Sequence, residues 1–246
     1  MIIGSDILYF DSLTSTNAVA SQMLLEKKPE EGTVIRAGFQ TAGKGQKGKS
    51  WESGKNKNLL FSVILYPSSL RPDEQFLLSM AISLGISDFL ENHIPRPDIK
   101  WPNDIYAGDK KIAGILIENS IMDGMIEYSV AGIGININQK RFSSGIRGAV
   151  SLGIITGREY DPALCLLQLL NFLDIRYKRL LYGDREAIRN DYFSNLYRAG
   201  EWHSYSSDGV VFRGAIRGVS SSGILTVEKE GNEFCGFSFR EIQYLH

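Results

Sequence analysis

The residues best equipped for chemistry lie in one short stretch. Residues 43–51 read Gly-Lys-Gly-Gln-Lys-Gly-Lys-Ser-Trp, and Lys55 and Lys57 follow with only Glu52 to oppose them. Glycines let a backbone approach a ligand closely and turn its N–H groups toward anionic oxygens. Lysines supply the neutralising charge, so the stretch suits a polyphosphate. A solvated lysine-rich loop is the plainer reading; it explains the charge but not the regular glycines or Trp51. Gly43 to Ser50 also fits G-x-x-x-x-G-K-S, the P-loop pattern. A β-branched run at 33–37 precedes it, but no helix follows. Trp-Glu-Ser-Gly-Lys-Asn-Lys-Asn is loop chemistry. Lys49 and Ser50 then lack the helix N-terminus that holds phosphates in a P-loop, and that reading is set aside.

Three further segments carry candidate chemistry. Lys100-Trp101-Pro102-Asn103-Asp104 lies between two strand-like pieces. Pro102 interrupts pairing, so Asn103 and Asp104 project from a bend. Asp104 could hold Mg²⁺ or orient a nucleophile, and Asn103 could bind a phosphate or sugar oxygen. An Asx turn in which both cap backbone is the equal alternative. Lys111 opens the apolar run Ile112-Ala113-Gly114-Ile115-Leu116-Ile117-Glu118. It reads as an edge lysine or as a cation beside a ligand. Gly114 inside that strand favours the second reading, since strand glycines mark close approach. Gly132-Ile133-Gly134-Ile135-Asn136 repeats the device, with Asn136 able to bond a base or sugar. It lacks the third glycine and the helix of a dinucleotide fingerprint.

The chain has 246 residues, 43% of them hydrophobic, and a net charge of −1. That is room for a sizeable core. The near-neutral balance argues against a nucleic-acid binder, which needs a broad basic surface. Cys165 and Cys235 lie far apart, and the three histidines show no metal-ligand spacing. Such cysteines read as core residues of a reducing compartment. No run approaches membrane-span length, and the N-terminus is no secretion signal. The expected location is the cytosol.

The elements that must position these residues follow from periodicity. Strands are expected at 7–10, 33–38, 59–65, 99–101, 104–106, 111–118 and 126–135. Helices are expected at about 17–26, 73–92, 162–181 and 185–197. Residues 107–109 and 122–124 read as hairpin turns. From about Ala199 the texture changes to short strands at 210–212, 215–219, 224–227 and 234–239 separated by Gly and Ser, a small β-barrel-like module. No helix-turn-helix precedes the first strand.

Six segments in this order resemble the biotin protein ligase family. They are Ser15-Thr16-Asn17; Gln40 through Trp51; Asn58 to Ser62; Lys100 to Asp104; Lys111 to Glu118; and Gly132 to Asn136. The resemblance implies an α+β fold: a mixed β-sheet with helices on one side, like a class II synthetase catalytic domain, over 1–198. A small SH3-like β-barrel would follow over 199–246. It also implies ATP-dependent ligation of biotin, through biotinyl-5′-AMP, to a lysine of a biotin carboxyl carrier domain of a biotin-dependent carboxylase. Biotin and ATP would be substrates and Mg²⁺ the metal.

By position, the resemblance places Ser15, Thr16, Asn17, Gln40, Gly43, Lys44, Gly45, Gln46, Lys111 and Gly114 at biotin. Lys47, Lys49, Trp51, Asn103 and Asn136 fall to the nucleotide. Lys111, Asp104 and Lys44 are the catalytic candidates, and Asp104 is the metal candidate. Arg240 and Glu241 are candidates in the C-terminal module. A lipoate ligase shares the chemistry, but the glycine loop with Trp51 and Lys-Trp-Pro-Asn-Asp are the biotin version. A homodimer is compatible with the family; operator DNA binding is not expected. The family commonly has Arg in the loop where this chain has Lys44, Gln46 and Lys49. Lys lacks Arg's bidentate fork, so a looser hold on the adenylate is expected.

Overall fold

The computed structural model describes residues 1–46, 48–143 and 148–245. In chain order the elements are β1 (Ile7–Phe10), α1 (Thr16–Glu26), β2 (Val34–Ala37), β3 (Leu59–Leu65), α2 (Phe76–Glu91), β4 (Pro97–Lys100), β5 (Asp104–Ala107), β6 (Lys110–Met122) and β7 (Met125–Ile135). Then come α3 (Leu152–Thr156), α4 (Pro162–Leu181), α5 (Arg185–Ser194), β8 (Trp202–Ser207), β9 (Val210–Val219), β10 (Leu225–Lys229), β11 (Glu233–Phe237) and β12 (Gln243–Tyr244). Seven strands form one sheet in the order β1-β2-β3-β7-β6-β5-β4, and five form another in the order β11-β10-β9-β8-β12. β1 and β2 run parallel, and the remaining neighbours pair antiparallel.

β3 is buried at every position, as a strand covered on both faces must be. On one face, Phe61, Val63 and Leu65 pack with α2 and α4 in the main core. α2 is apolar nearly all round because it lies between the sheet and α4. The mixed sheet with helices is as expected, with one addition: α1 covers the opposite face. Its Ala20 packs with Ile35, Ile64 and Val130. Asp161 caps α4 by accepting from the Ala163 N–H, with Pro162 at the first helical position. The β6–β7 hairpin turns through Asp123 and Gly124, both at positive φ, as a two-residue type I′ turn requires.

Three local features escape periodicity. β8 (Trp-His-Ser-Tyr-Ser-Ser) is mostly polar and carries one fully buried anchor, Tyr205. α3 is a short turn of helix held by the Ser151 side chain, which accepts from the Ile154 N–H, and ended by Gly157 at positive φ. β9 is one strand where two were expected. Its Gly214 is not a turn but a close contact: a Cβ there would lie 2.6 Å from Val227.

The second sheet shares the main core through Tyr205, Ile216, Leu225, Val227, Phe237 and Ile242. Trp101 donates its Nε1–H to the Gly223 carbonyl at 3.0 Å, and Phe76 meets Phe239 with ring centroids 5.8 Å apart.

Asp174 of α4 ties down the N-terminal segment. It accepts from the Ile2 and Ile3 N–H groups and pairs with Lys178 at 2.8 Å while only 4% exposed. Burial acts to raise its pKa, but the hydrogen bonds from Lys178, Ile3 and Ile2 outweigh it and hold the carboxyl below its usual range. A depressed folded pKa gives stability that is present above the unfolded value of about 3.9 and lost as pH falls through the folded one. Asp174→Asn is expected to cost about 1–3 kcal/mol at pH 7. In urea melts the gap to wild type should narrow toward pH 3; a constant gap would refute this account.

Candidate functional site

A cleft of about 350 Å³ opens on the α1 face of the seven-stranded sheet. Its floor is built from cross-strand partners, Gly114 opposite Gly134 and Leu116 opposite Gly132. One end is polar and closed. Ser15, Thr16 and Asn17 begin α1 there, each at most 4% exposed. Asn17 Nδ2 donates to Glu118 at 2.6 Å and to the Leu116 carbonyl at 3.2 Å. Its Oδ1 therefore faces Ser62, whose hydroxyl donates to it at 2.6 Å. Thr16 N–H and Oγ1–H both reach Gln40 Oε1, at 2.7 and 3.1 Å. That leaves the Gln40 amide nitrogen as a donor beside Gly43. The residues that line this end, Ser15, Thr16, Asn17 and Gln40, are uncharged, so it suits an uncharged polar group. Gly132 is required here, because a Cβ would sit 2.2 Å from Asn17 Oδ1.

The glycine loop covers the cleft as a tight hairpin. Lys44 and Ser50 bridge, Trp51 N–H donates to the Gly43 carbonyl at 2.9 Å, and Gly45 N–H donates to Lys49 O at 2.9 Å. No helix starts at Ser50, in keeping with the rejected P-loop reading. The loop lays the Trp51 indole across the floor: a Cβ on Gly134 would lie 2.5 Å from Trp51 Cε2, and one on Gly114 2.9 Å from Cζ3. The two glycines thus seat an aromatic ring, where the expectation for Gly114 was direct room for a ligand. Trp51 Nε1 is buried with no hydrogen bond among the described residues.

The far end is charged. Lys111 Nζ lies 2.6 Å from Asp104 Oδ1 and 5.5 Å from the Trp51 ring centroid. Among the described residues Lys44 and Lys49 line the cleft without an ion pair, and Asp104 is the only carboxylate lining it. Lys100, Tyr106, Arg240, Ile242 and Tyr244 complete the wall.

Most expected site residues meet here, and several do not. Asn136 is 3% exposed and donates to the Val150 carbonyl at 3.1 Å. It follows the end of β7 and lines no part of the cleft. Gly43 closes the base of the hairpin, since a Cβ would meet the Trp51 carbonyl at 2.5 Å; it too lies outside the lining. Asn103 lines the cleft, but its Nδ2 donates to Ile115 O at 2.7 Å, which fixes β6. Glu241 accepts from the Ser238 N–H and is exposed, while Arg240 faces the cleft. Lys47 lies outside the described residues. Sequence reasoning missed Lys100, although it opens a quoted motif, and missed Tyr106, Ile242 and Tyr244. Nothing local marks the last two.

No group of three or more His, Cys, Asp or Glu among the described residues could hold a metal alone. No helix of the described residues is long and apolar enough to cross a membrane.

The sequence model of the Biotin/lipoate A/B protein ligase family matches residues 9–136, more than half of the chain. A bifunctional ligase/repressor of Bacillus subtilis is 29% identical over 233 residues, covering 92% of this chain and 70% of that protein. A biotin--[acetyl-CoA-carboxylase] ligase of Paracoccus denitrificans is 29% identical, covering 86% of this chain and 89% of its own. Among solved structures, the biotin protein ligase from Aquifex aeolicus in complex with biotin and ATP superposes with a TM-score of 0.80 at 26% identity. The likeness covers 98% of this chain and 100% of that one. A match over more than half the sequence, with biotin ligases alike over nearly its full length, makes this chain a member of the biotin/lipoate A/B protein ligase family, on its biotin protein ligase side.

Proposed function

We propose that the cleft binds biotin and ATP, joins them as biotinyl-5′-AMP, and passes biotin to a lysine of a biotin carboxyl carrier domain. The observation that carries this reading is the position of Lys111. Its ammonium lies beside Asp104 and the Trp51 ring in the same cleft as the uncharged polar end and the loop lysines. The ureido ring of biotin is uncharged and polar, matching Thr16, Asn17 and Gln40. Its carboxylate then points to Lys111. In the first step a carboxylate oxygen forms a bond to the α-phosphorus, and pyrophosphate leaves with the electrons of the broken P–O bond. In the second, the neutral acceptor amine attacks the acyl carbon, the acyl C–O bond to phosphate breaks with its electrons going to AMP, and the amine's extra proton is lost to solvent. Both steps bring negative charge to one place, and a fixed cation stabilises it most where water is excluded. Lys44 and Lys49 screen the phosphates. Trp51 offers a flat apolar surface.

Mg²⁺ is commonly held by one or two carboxylates together with substrate phosphates. A single cleft carboxylate, Asp104, fits that pattern. The metal would neutralise phosphate charge. We also propose that residues 1–198 form the catalytic unit and 199–246 a second one that contributes a cleft wall.

Incubation with biotin, ATP and Mg²⁺, with and without a carrier domain, tests the reading by pyrophosphate and carrier mass. Biotin-dependent pyrophosphate and a carrier heavier by one biotin are expected. Release with lipoate but not biotin would refute it. Gln46 lines the cleft without charge. Gln46→Arg is expected to slow escape of biotinyl-AMP by about tenfold, through a charge-assisted bidentate contact. Unchanged release in a single-turnover chase would dismiss that idea.

A further inference from the structure

Lys100 ends β4 opposite Asp104 in the β4–β5 hairpin. Its ammonium donates to the Tyr106 hydroxyl at 3.1 Å and lies 4.5 Å from that ring's centroid. Two more ring centroids surround it, Tyr244 at 4.8 Å and Tyr197 at 5.8 Å. These tyrosines come from β5, from the segment after α5, and from β12. Burial lowers the Lys100 pKa, opposed by Asp104 and Asp109 and reinforced by Arg198 and Lys111. Burial likewise pushes Tyr106 up to about 12, so the rings face the cation as neutral phenols.

A half-buried cation without its own carboxylate costs desolvation. Asp104 across the hairpin is engaged by Lys111. What compensates Lys100 is aromatic faces, which attract a cation most strongly where water is displaced. The Tyr244 hydroxyl makes no hydrogen bond among the described residues, so its ring is what this contact uses. β12 carries that ring, and with Ile242 and Arg240 it walls the far end of the cleft. A second tie runs alongside. The Arg198 guanidinium lies 5.0 Å from the Tyr197 ring and donates to the Leu245 carbonyl at 2.8 Å.

We propose that Lys100 is a positioning residue: through the Tyr244 ring it fastens the C-terminal sheet against the cleft and sets the shape of the nucleotide end. The inference rests on the assignment of that end to ATP. It predicts that losing either the cation or the ring loosens the same wall, and that the biotin end, built from α1 and the sheet floor, is untouched.

The test compares Lys100→Met, Lys100→Arg, Tyr244→Leu, Tyr244→Phe and the Met/Leu double variant. Readouts are KM for ATP and for biotin in biotin-dependent pyrophosphate exchange, with amide hydrogen exchange across residues 199–245. Lys100→Met and Tyr244→Leu should each raise KM for ATP about tenfold, between the scales of an exposed and a desolvated cation–π contact. KM for biotin should stay within about twofold, and the double variant should be no worse than either single one. Lys100→Arg and Tyr244→Phe should restore most of the loss, and exchange in β12 and β8 should quicken in Lys100→Met, Tyr244→Leu and the double variant but not in the two conservative ones. A rise in KM with Lys100→Met but not Tyr244→Leu would mean that Lys100 touches phosphate directly, and would overturn the proposal. Equal loss for both substrates, or no change, would also overturn it. Should the wild type show no biotin-dependent exchange, the functional reading fails, while the hydrogen-exchange comparison still decides the role of Lys100.

Discussion

Replacing Lys111 by Met is expected to lower biotin-dependent pyrophosphate release by about 10²–10³-fold, the cost of removing one fixed charge stabiliser at a reacting centre. The fold should survive. Lys111 is the second residue of β6, where its backbone N–H donates to Gly148 O and its carbonyl accepts from the Val150 N–H. Met retains those bonds and most of the stem. The ion pair with Asp104 is lost, but the two side chains are 32% and 24% exposed. Solvent screening limits that loss to about 1 kcal/mol. Activity and stability should therefore separate, with a large fall in kcat and a small shift in Tm. Asp104→Asn in the same background sharpens the test. If the only function of Lys111 were to neutralise Asp104, the double variant would recover activity. That recovery, or a single variant keeping a tenth of the wild-type rate, would remove Lys111 from the chemistry.

The second large effect is expected from one methyl group. Gly134→Ala puts a Cβ 2.5 Å from Trp51 Cε2 and 2.7 Å from Cζ2. Something must move, and β7 cannot easily do so, being paired on both sides by β3 and β6. The indole belongs to a hairpin loop and yields instead. Gly134 is not at positive φ, so alanine brings no backbone strain, and it restricts the unfolded chain. The expected result is a fall in kcat/KM of about 100-fold, as for misplaced binding groups, with Tm within about 4 °C of wild type. Red-shifted Trp51 fluorescence, measured with Trp101 and Trp202 replaced by Phe, would report the displaced ring. Gly218→Ala on β9 is the control, since a Cβ there meets nothing within 4 Å. Full activity in Gly134→Ala would mean that the ring does not need its seat. A collapse in Tm would mean that the strand, not the loop, had moved.

Much of this site is legible in the sequence because the relevant physics is local. Glycine spacing and lysine density mark residues 43–51 as a loop suited to an anion, and the polar stretch after Ser50 argues against a P-loop helix without any structure. Alternation and apolar runs locate the main strands, and Asp123-Gly124 can turn a hairpin whatever surrounds it. Other assignments needed contacts between residues far apart in the chain. A glycine in a strand announces close approach but not by what. Only the pairing of Gly114 with Gly134, and the return of the loop over both, shows that the visitor is Trp51. Asn136 has the chemistry of a ligand contact, yet its amide is taken by the Val150 carbonyl, fourteen residues on. β8 shows no clear pattern because one inward tyrosine suffices once β9 and β12 flank it. Arg240, Ile242 and Tyr244 join the cleft because the second sheet docks beside the first through a shared core. Residue type and short-range spacing thus determined which chemistry this chain can offer. Long-range packing decided which of those groups face the same cleft, since a side chain's direction depends on strands and helices that its neighbours in sequence do not encode.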